Sequence, residues 1–333
     1  MTAATYDVLG IGNAIVDILA RTEDKFLTEQ GMAKGSMALI DEARAAAIYD
    51  AMGPATEISG GSAANTIAGV ANLGARAAFV GKVRNDQLGN VFSHDIRAAK
   101  VAFETQAASD GPATARCYVL VSPDGERTMN TYLGAAQDLS PADIDPAQIA
   151  ASSIIYLEGY LWDPANAKEA FLKASKIAHE NKRSVALTLS DAFCVGRYRD
   201  EFLNLIRGKT VDLVFANEAE LTSLYQTGDF DKALAQLRSD ATLAVVTRSE
   251  KGCVVVAKDK VTPVPASPVK QVVDTTGAGD LFAAGFLFGV VRGLSHEQCG
   301  QFGALAAAEV IQHIGARPEA SLKALAQQAG LPV

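Results

Sequence analysis

Alternating strand-like and helix-like segments in the second half of the chain limit the fold more than any other feature of this sequence. The apolar runs cover residues 154–157, 184–189, 211–215 and 244–246, and the helical stretches cover 166–180, the region around Phe202 and a segment that begins at Glu218. Strands that alternate with helices form parallel sheets, because each crossover helix packs on a face of the sheet. The sequence therefore predicts an α/β fold with a mainly parallel central sheet and helices on both faces.

Residues 274–280 form a glycine-rich segment, DTTGAGD, between a β-branched run at 269–273 and an apolar run that begins at Leu281. We interpret these pieces as a strand, a tight turn and a helix that Gly293 would end. The first N–H groups of such a helix have no backbone partners and carry partial positive charge. The turn is therefore expected to bind an anion.

Asp280 lies at the mouth of this expected anion site. A carboxylate repels a phosphate at rest, but it can accept a proton from a hydroxyl that attacks a phosphoryl group while backbone N–H groups hold the developing charge. An isolated aspartate at a helix start more often only caps the helix. The three small residues Gly277, Ala278 and Gly279 directly before Asp280 favour the catalytic interpretation.

Composition narrows the class of protein. The 333 residues are 49% hydrophobic with 28 glycines, which allows a large core with many tight turns. A net charge of −8 without a basic stripe argues against a nucleic-acid partner. The four cysteines are far apart and show no metal-ligand spacing, as expected for free thiols in a reducing compartment. Residues 1–7 carry no basic targeting segment and the longest apolar run, 281–291, is too short for a bilayer, so we expect a cytoplasmic protein without a membrane partner.

The first apolar run, residues 6–11, is expected to be a buried strand that Asn13 and Asp17 follow. Its Gly10-x-Gly12 pattern does not continue as a dinucleotide fingerprint, because Ile15 stands where close helix packing needs glycine or alanine. From the residue types alone, Asn13 is equally well a turn residue and Asp17 a solvated one.

A second small-residue segment, 57–65, is interpreted as a turn that leads into an Ala-rich helix at 66–73 and a strand at 77–80. Close packing at a helix start is enough to explain such a turn. Small residues also allow a ligand to approach the backbone, and Asn65 offers both a donor and an acceptor to paired hydroxyls. Both interpretations stay open at this level.

The two glycine-rich segments resemble the two signatures of the ribokinase-like (PfkB) sugar and nucleoside kinases. DTTGAGDLFAAGFL is similar to the C-terminal signature and GGSAANTIAGVANLG to the N-terminal one, in the family's order. The resemblance implies a ribokinase-like fold in which Asp280 is the catalytic base and the backbone of Gly277, Ala278 and Gly279 is the anion hole. It also implies substrate contacts from Asn13, Asp17, Gly60, Gly61 and Asn65.

Two alternating runs, 115–121 and 127–133, flank a Pro/Asp-Gly turn and predict a β-hairpin. In the resembling family a small β-sheet of this kind closes over the substrate and excludes water. The resemblance implies one kinase domain, residues 1–333, with a lid built from segments 13–40 and 103–134. Arg127 is then either a solvated hairpin residue, the usual fate of such an arginine, or a group that reaches the transferring phosphate on closure.

The resemblance also implies sites for ATP and Mg²⁺. Asn217 and Glu220 match the family's N-x-x-E motif, whose glutamate positions magnesium mostly through water, although an Asn cap followed by Glu is also an ordinary helix start. Further ATP contacts are implied for Thr247, Arg248, Ser249, Gly252, Gly303 and Ala307. Asp274 and Thr276 match part of a monovalent-cation site, which leaves K⁺ activation as an open expectation.

Within the family, several stretches look more like adenosine kinases than sugar kinases, above all residues 187–193, LTLSDAF, where Ala192 replaces the usual proline. Tyr160 is a candidate to stack on a purine, or else a core aromatic like Trp162. We therefore expect ATP-dependent phosphorylation of the 5′-hydroxyl of a ribonucleoside, adenosine before others. A ribokinase- or fructokinase-like sugar kinase and a catalytically silent sugar- or nucleoside-binding relative are the alternatives. The sequence leaves a monomer and a homodimer equally open.

Overall fold

The computed structural model describes residues 4–333. Residues 1–3, which belong to the N-terminal segment 1–7 without basic residues, lie outside the described part. The strands are β1 (Tyr6–Ile11), β2 (Ile15–Arg21), β3 (Met37–Leu39), β4 (Thr56–Gly60), β5 (Ala77–Val80), β6 (Val101–Phe103), β7 (Ala115–Val121), β8 (Arg127–Tyr132), β9 (Ser152–Glu158), β10 (Ser184–Thr188), β11 (Leu213–Asn217), β12 (Leu243–Thr247), β13 (Cys253–Ala257) and β14 (Val261–Val264). The helices are α1 (Asp24–Glu29), α2 (Glu42–Ala51), α3 (Ser62–Asn72), α4 (Gln87–Ala98), α5 (Pro146–Ala150), α6 (Ala165–Glu180), α7 (Ala192–Arg207), α8 (Glu218–Leu224), α9 (Phe230–Asp240), α10 (Ala278–Val291), α11 (His296–Val310) and α12 (Leu322–Gln328).

The larger sheet has nine strands in the order β14-β13-β12-β11-β10-β9-β1-β5-β6. Every pairing in it is parallel except the two made by β13. The strands and helices expected between residues 154 and 246 are all present. The prediction of a mainly parallel α/β sheet is therefore confirmed.

Helices cover both faces of this sheet. Successive side chains of a strand point to opposite faces. In β1, Val8 belongs to the core that packs against α3, α4, α10, α11 and α12, whereas its neighbour Leu9 belongs to the core that packs against α5 to α9. No helix in residues 4–333 is long and apolar enough to cross a membrane.

The smaller sheet has five strands in the order β3-β8-β7-β2-β4. The predicted hairpin is β7 and β8, which pair antiparallel, and β7 also pairs in parallel with β2, where Asp17 lies opposite Cys117. The strands of the second predicted lid segment begin at Ala115. The small sheet is thus assembled from chain segments on both sides of β5 and β6 of the larger sheet.

Two expectations about local structure are wrong. Residues 269–273 form no strand, and Val272 and Val273 are exposed, because this segment pairs with no strand of either sheet and a β-branched run alone does not make a strand. Residues 57–60, expected to lie in a turn, belong to β4 and pair antiparallel with β2. The helix after them begins at Ser62 rather than at residue 66.

Candidate active site

The predicted anion site lies at the start of α10. Gly277 precedes the helix with a left-handed φ of 74°, and a Cβ on it would lie 2.8 Å from Cα of Ala316, so only glycine fits there. Ala278 N donates to Thr275 O at 3.2 Å, whereas the N–H groups of Gly277, Gly279 and Asp280 have no acceptor within the described residues. A Cβ on Gly279 would face open space. The helix start therefore presents free donors to a site with room for a ligand.

Asp280 is the third residue of α10 and faces the start of α3. Its Oδ1 accepts a hydrogen bond from Ser62 Oγ at 2.6 Å, and its Oδ2 accepts one from Asn65 Nδ2 at 3.1 Å. Its side chain makes no capping hydrogen bond at α10, so the capping interpretation is wrong. Burial raises the pKa of Asp280, while the two hydrogen bonds and the charge of Arg317 act in the opposite direction.

The turn between β4 and α3 brings Asp17 and Asn13 close to backbone. A Cβ on Gly60 would lie 2.2 Å from Asp17 Oδ2, and a Cβ on Gly61, where φ is 95°, would lie 2.3 Å from Asn13 O. These are the close approaches that the small residues permit. Burial raises the pKa of Asp17 to about 7, with Arg317 and Arg127 opposing the rise and Asp280 adding to it.

Glu158, at the carboxyl end of β9, holds this turn together. Its Oε1 accepts from Asn13 Nδ2 at 2.6 Å and from Asn13 N at 3.3 Å, and its Oε2 accepts from Ala63 N at 2.8 Å. Burial raises the pKa of Glu158 to about 7 against these three donors. With their amide N–H groups engaged, Asn13 and Asn65 each have a buried Oδ1 that accepts no hydrogen bond within the described residues. Two unused acceptors beside Asp17 and Asp280 suit the donors of a polyhydroxylated ligand.

Arg127 does not extend into solvent. It forms an ion pair with Asp274, and the two side chains are 12% and 2% exposed, so the interpretation as a solvated hairpin residue is wrong. Asp274 also accepts from Thr276 N and from Gly315 N, both at 2.8 Å. In this arrangement the guanidinium occupies the place of a counter-cation at Asp274. The monovalent-cation site thus remains a prediction in which K⁺ would act beside or instead of Arg127.

Most of the residues expected to bind ATP lie at or just after the carboxyl ends of β11 and β12, where Asn217 is paired with Thr247. Asn217 and Glu220 form a reciprocal capping box at the start of α8, and burial raises the pKa of Glu220 to about 7. The sequence is compatible with both the motif and an ordinary cap, and the cap is present. No group of three or more histidine, cysteine, aspartate or glutamate side chains that could hold a metal ion occurs in residues 4–333.

The other residues of the expected ATP site differ in their contacts with the rest of the chain. Arg248 donates to Glu218 Oε2 at 3.0 Å and lies 3.8 Å above the ring of Phe230, and Ser249 and Gly252 follow it with positive φ angles. Gly303 lies in the contact between α10 and α11, where a Cβ would be 2.8 Å from the Phe282 ring. Ala307 is half-buried on α11.

The two candidate aromatic residues, Trp162 and Tyr160, differ in their exposure to solvent. Trp162 is buried, packs against Phe171 and Phe202 and donates to Glu201, so it is a core residue. Tyr160 is 38% exposed, and its N–H donates to Ser190 Oγ at 3.1 Å, which joins the two stretches that look like those of adenosine kinases. The loop around Ala192 keeps a regular helix start, because Ala192 is the first residue of α7, a position that proline also favours.

A family model described as pfkB family carbohydrate kinase matches residues 49–323, which include both glycine-rich turns, Asp280 and the strand ends of the expected ATP site. The chain belongs to the pfkB family of carbohydrate kinases. The predicted family membership and ribokinase-like fold are thereby confirmed.

Relatives within the pfkB family include kinases of nucleosides and of sugars. The chain is 57% identical to adenosine kinase from Sinorhizobium meliloti, whose crystal structure superposes with a TM-score of 0.92 and covers 98% of this chain and 100% of that one. It is 53% identical to a probable sugar kinase from Rhizobium etli, with a TM-score of 0.93 and coverage of 99% and 100%. It is 29% identical to adenosine kinase 2 of Arabidopsis thaliana over 94% of this chain and 96% of the relative.

Three residues of this pfkB-family site were not predicted from the sequence: Ser62, Glu158 and Arg317. Ser62 follows the predicted Gly61, and Glu158 lies two residues before the predicted Tyr160. A glutamate at the end of an otherwise apolar strand was a usable signal. Arg317 lies beyond α11 in a segment without a recognisable motif. Its place becomes visible only through its contacts with β4.

Proposed function

We propose that the protein is an adenosine kinase that transfers the γ-phosphoryl group of ATP to the 5′-hydroxyl of a ribonucleoside, with adenosine as the preferred acceptor. The observation that carries the proposal is the pairing of a half-buried carboxylate, Asp280, with three free backbone N–H groups at the start of α10. A base and an anion site on one helix turn are what in-line phosphoryl transfer to a hydroxyl needs.

Each residue of the proposed site has its own role in the transfer. Asp280 accepts the 5′-hydroxyl proton while the new O–P bond forms and the bond to ADP breaks. Ser62 and Asn65 hold the Asp280 carboxylate in one orientation. Asp17 and the unused Oδ1 atoms of Asn13 and Asn65 accept hydrogen bonds from the ribose hydroxyls, and Gly60 and Gly61 let the sugar approach the backbone.

ATP with Mg²⁺ is the phosphoryl donor in this proposal. Mg²⁺ supplies charge neutralisation at the phosphates when bound, and Glu220 is the carboxylate placed to orient it through water. Burial raises the pKa of Glu220 to about 7 when no cation is bound. A nearby divalent charge would lower that pKa and favour the ionised carboxylate. Asn217, Thr247, Arg248, Ser249, Gly252 and Ala307 are the proposed surroundings of the nucleotide, with Gly303 shaping the helix contact behind it.

Two observations support a nucleoside over a free sugar. Tyr160 and Phe193 present aromatic surface, 38% and 72% exposed, at the strand ends of β9 and β10, and base stacking needs such surface. Relatives that match nearly the whole chain include two adenosine kinases. A sugar kinase is the second candidate, favoured by the Rhizobium etli relative.

The intact Asp280 and anion site disfavour a silent binding protein. A cytoplasmic location, in keeping with four unpaired buried cysteines, belongs to the same proposal.

The deciding experiment measures ATP-dependent phosphorylation of adenosine, inosine, guanosine, ribose, fructose and 2-keto-3-deoxygluconate, with and without K⁺. We expect turnover to be concentrated on adenosine. Turnover on free sugars alone would overturn the choice of acceptor but keep the role of Asp280. Loss of turnover without K⁺ would support the cation site at Asp274 and Thr276, and equal rates would remove it.

Nucleoside affinity should depend on pH through Asp17. Because its pKa is raised to about 7, the carboxylate is ionised above that pH and protonated below it, and the ionised form is the stronger acceptor. We therefore expect adenosine affinity to fall by roughly tenfold from about pH 8 to about pH 6. Calorimetric titration of the wild type and of Asp17→Asn checks this, since the variant should bind weakly at every pH with no such slope.

A matched control for this titration is Asp7→Asn. Asp7 is also buried, but it pairs with Arg76 at the opposite end of β1. The Asp7 variant should keep the wild-type pH dependence of binding. If Asp17→Asn kept it as well, the titrating group would be another one, with Glu158 as the first to test.

A further inference from the structure

Arg317 ties the loop after α11 to the smaller sheet. Its Nη2 donates to Ser59 O at 2.9 Å and to Ser59 Oγ at 3.0 Å. Ser59 N in turn donates to Asp95 Oδ2 on α4 at 2.7 Å. All three polar atoms of this buried serine are therefore engaged, and Ser59 directly precedes Gly60, on whose backbone the Asp17 carboxylate lies.

The same loop touches the anion site. Gly315 N donates to Asp274 Oδ2 at 2.8 Å, and the backbone of Ala316 packs against Gly277 so closely that no Cβ fits between them. Three consecutive residues, Gly315 to Arg317, thus contact the turn that holds the expected phosphoryl site and the strand that leads to the expected ribose site.

The charge of Arg317 is unusual for its surroundings. No carboxylate in residues 4–333 lies within ion-pair distance of it, and its buried Nε has no acceptor there. The residue is half-buried, and partial desolvation of a guanidinium without a direct counter-ion carries a cost. The negative charges that act on it are those of Asp95, Asp17 and Asp280, and they act from beyond contact distance. The positive charge of Arg317 thus acts on both carboxylates of the proposed reaction.

We propose that Arg317 is a positioning residue for phosphoryl transfer, which couples the ribose-binding turn after β4 to the anion site and sets a positive charge opposite Asp17 and Asp280. The inference rests on the proposed function for the roles of those two carboxylates. Its geometric part, the link from Ser59 to Gly277, holds for any acceptor whose hydroxyl reaches Asp280.

The test compares Arg317→Gln and Arg317→Lys with the wild type. In Arg317→Gln the hydrogen bonds weaken and the charge is lost, so we expect the KM for the acceptor to rise by about tenfold and kcat to fall by about tenfold. The acidic limb of the kcat/KM profile should also move to higher pH, because Arg317 lowers the pKa of both Asp17 and Asp280. Arg317→Lys keeps the charge, so it should raise KM while the acidic limb stays in place.

The pH readout separates positioning from a merely structural role. Other groups that interact with Asp280 are Asp17, Glu158, Tyr156 and Tyr160, and all of them are unchanged in these variants. Arg238→Gln is the matched control, since the Arg238 guanidinium also donates to a backbone carbonyl, that of Lys258, at the edge of the sheet away from the strand ends of the site. It should leave KM, kcat and the pH profile at wild-type values.

Unchanged KM and an unmoved acidic limb in a folded Arg317→Gln variant would overturn the inference. If that variant does not fold, Arg317→Lys and Ser59→Ala decide, because both weaken the same link and wild-type KM values in both would overturn it equally. The wild-type acceptor panel reads out the proposed function separately. If the wild type phosphorylates a sugar instead of adenosine, the same variants are compared on that sugar.

Discussion

Asp280→Asn is expected to lower kcat by about a thousandfold, the typical contribution of a general base, while adenosine still binds. The substitution preserves shape and removes the proton acceptor. Asn65 can rotate its amide so that its unused Oδ1 accepts from the new side-chain N–H, and Ser62 can keep its hydrogen bond, so the pocket should stay intact. Single-turnover rates with ATP and calorimetric binding of adenosine measure the two quantities separately.

Asp229→Asn is the control for this prediction. Asp229 precedes α9 and accepts a hydrogen bond from Lys232 N, so it is an aspartate at a helix start whose side chain only caps the helix. That variant should lose at most about 1 kcal/mol of unfolding free energy and no activity. Turnover of Asp280→Asn close to that of Asp229→Asn would mean that Asp280 is not the base. The mechanism proposed here would then be wrong even if adenosine is the substrate.

Gly277→Ala is expected to lower kcat by about a hundredfold, the effect of displacing an oxyanion-type donor. The added Cβ would meet Cα and Cβ of Ala316 at 2.8 Å, so the turn must move, and its free N–H groups move with it. A left-handed φ of 74° adds strain of about 1 kcal/mol for any residue with a side chain. The measurements are kcat with saturating adenosine and ATP, and the free energy of unfolding.

Gly293→Ala separates the clash from the strain. Gly293 follows the other end of α10 with a φ of 69°, and a Cβ there meets nothing within 4 Å. Both variants therefore carry the same kind of backbone strain, but only Gly277→Ala disturbs the anion site. Gly293→Ala should be slightly less stable with an unchanged kcat. Equal losses of kcat in the two would show that stability, rather than donor placement, limits turnover.

The parallel sheet and the anion turn were predictable because both depend on short-range patterns. Strands buried on both faces are apolar throughout, and the run from Val8 to Ile11 shows this without any tertiary information. The run at 269–273 has the same composition and forms no strand, since strand formation needs a partner that composition does not reveal.

The polar contacts of the site were less predictable, because they join residues remote in sequence. Nothing near Arg127 indicates that its partner is Asp274, and nothing near Arg317 indicates Ser59. The small sheet was equally hard to predict. The sequence of β4 is typical of a turn, and its strand structure depends on antiparallel pairing with β2. Local chemistry identified which groups could act at the site, whereas the fold decides which of them meet.

The hydrogen bonds to Asp280 from Ser62 and Asn65 join residues 218 and 215 positions apart. Contacts of such separation form late, because a long loop must close before they bring any gain. The helix that carries Asp280 also shares its core with α3, so the base and the packing partner of α3 become available together. During synthesis a ribosome-bound chain therefore has no kinase chemistry until the segment that contains Asp280 has emerged and packed on α3.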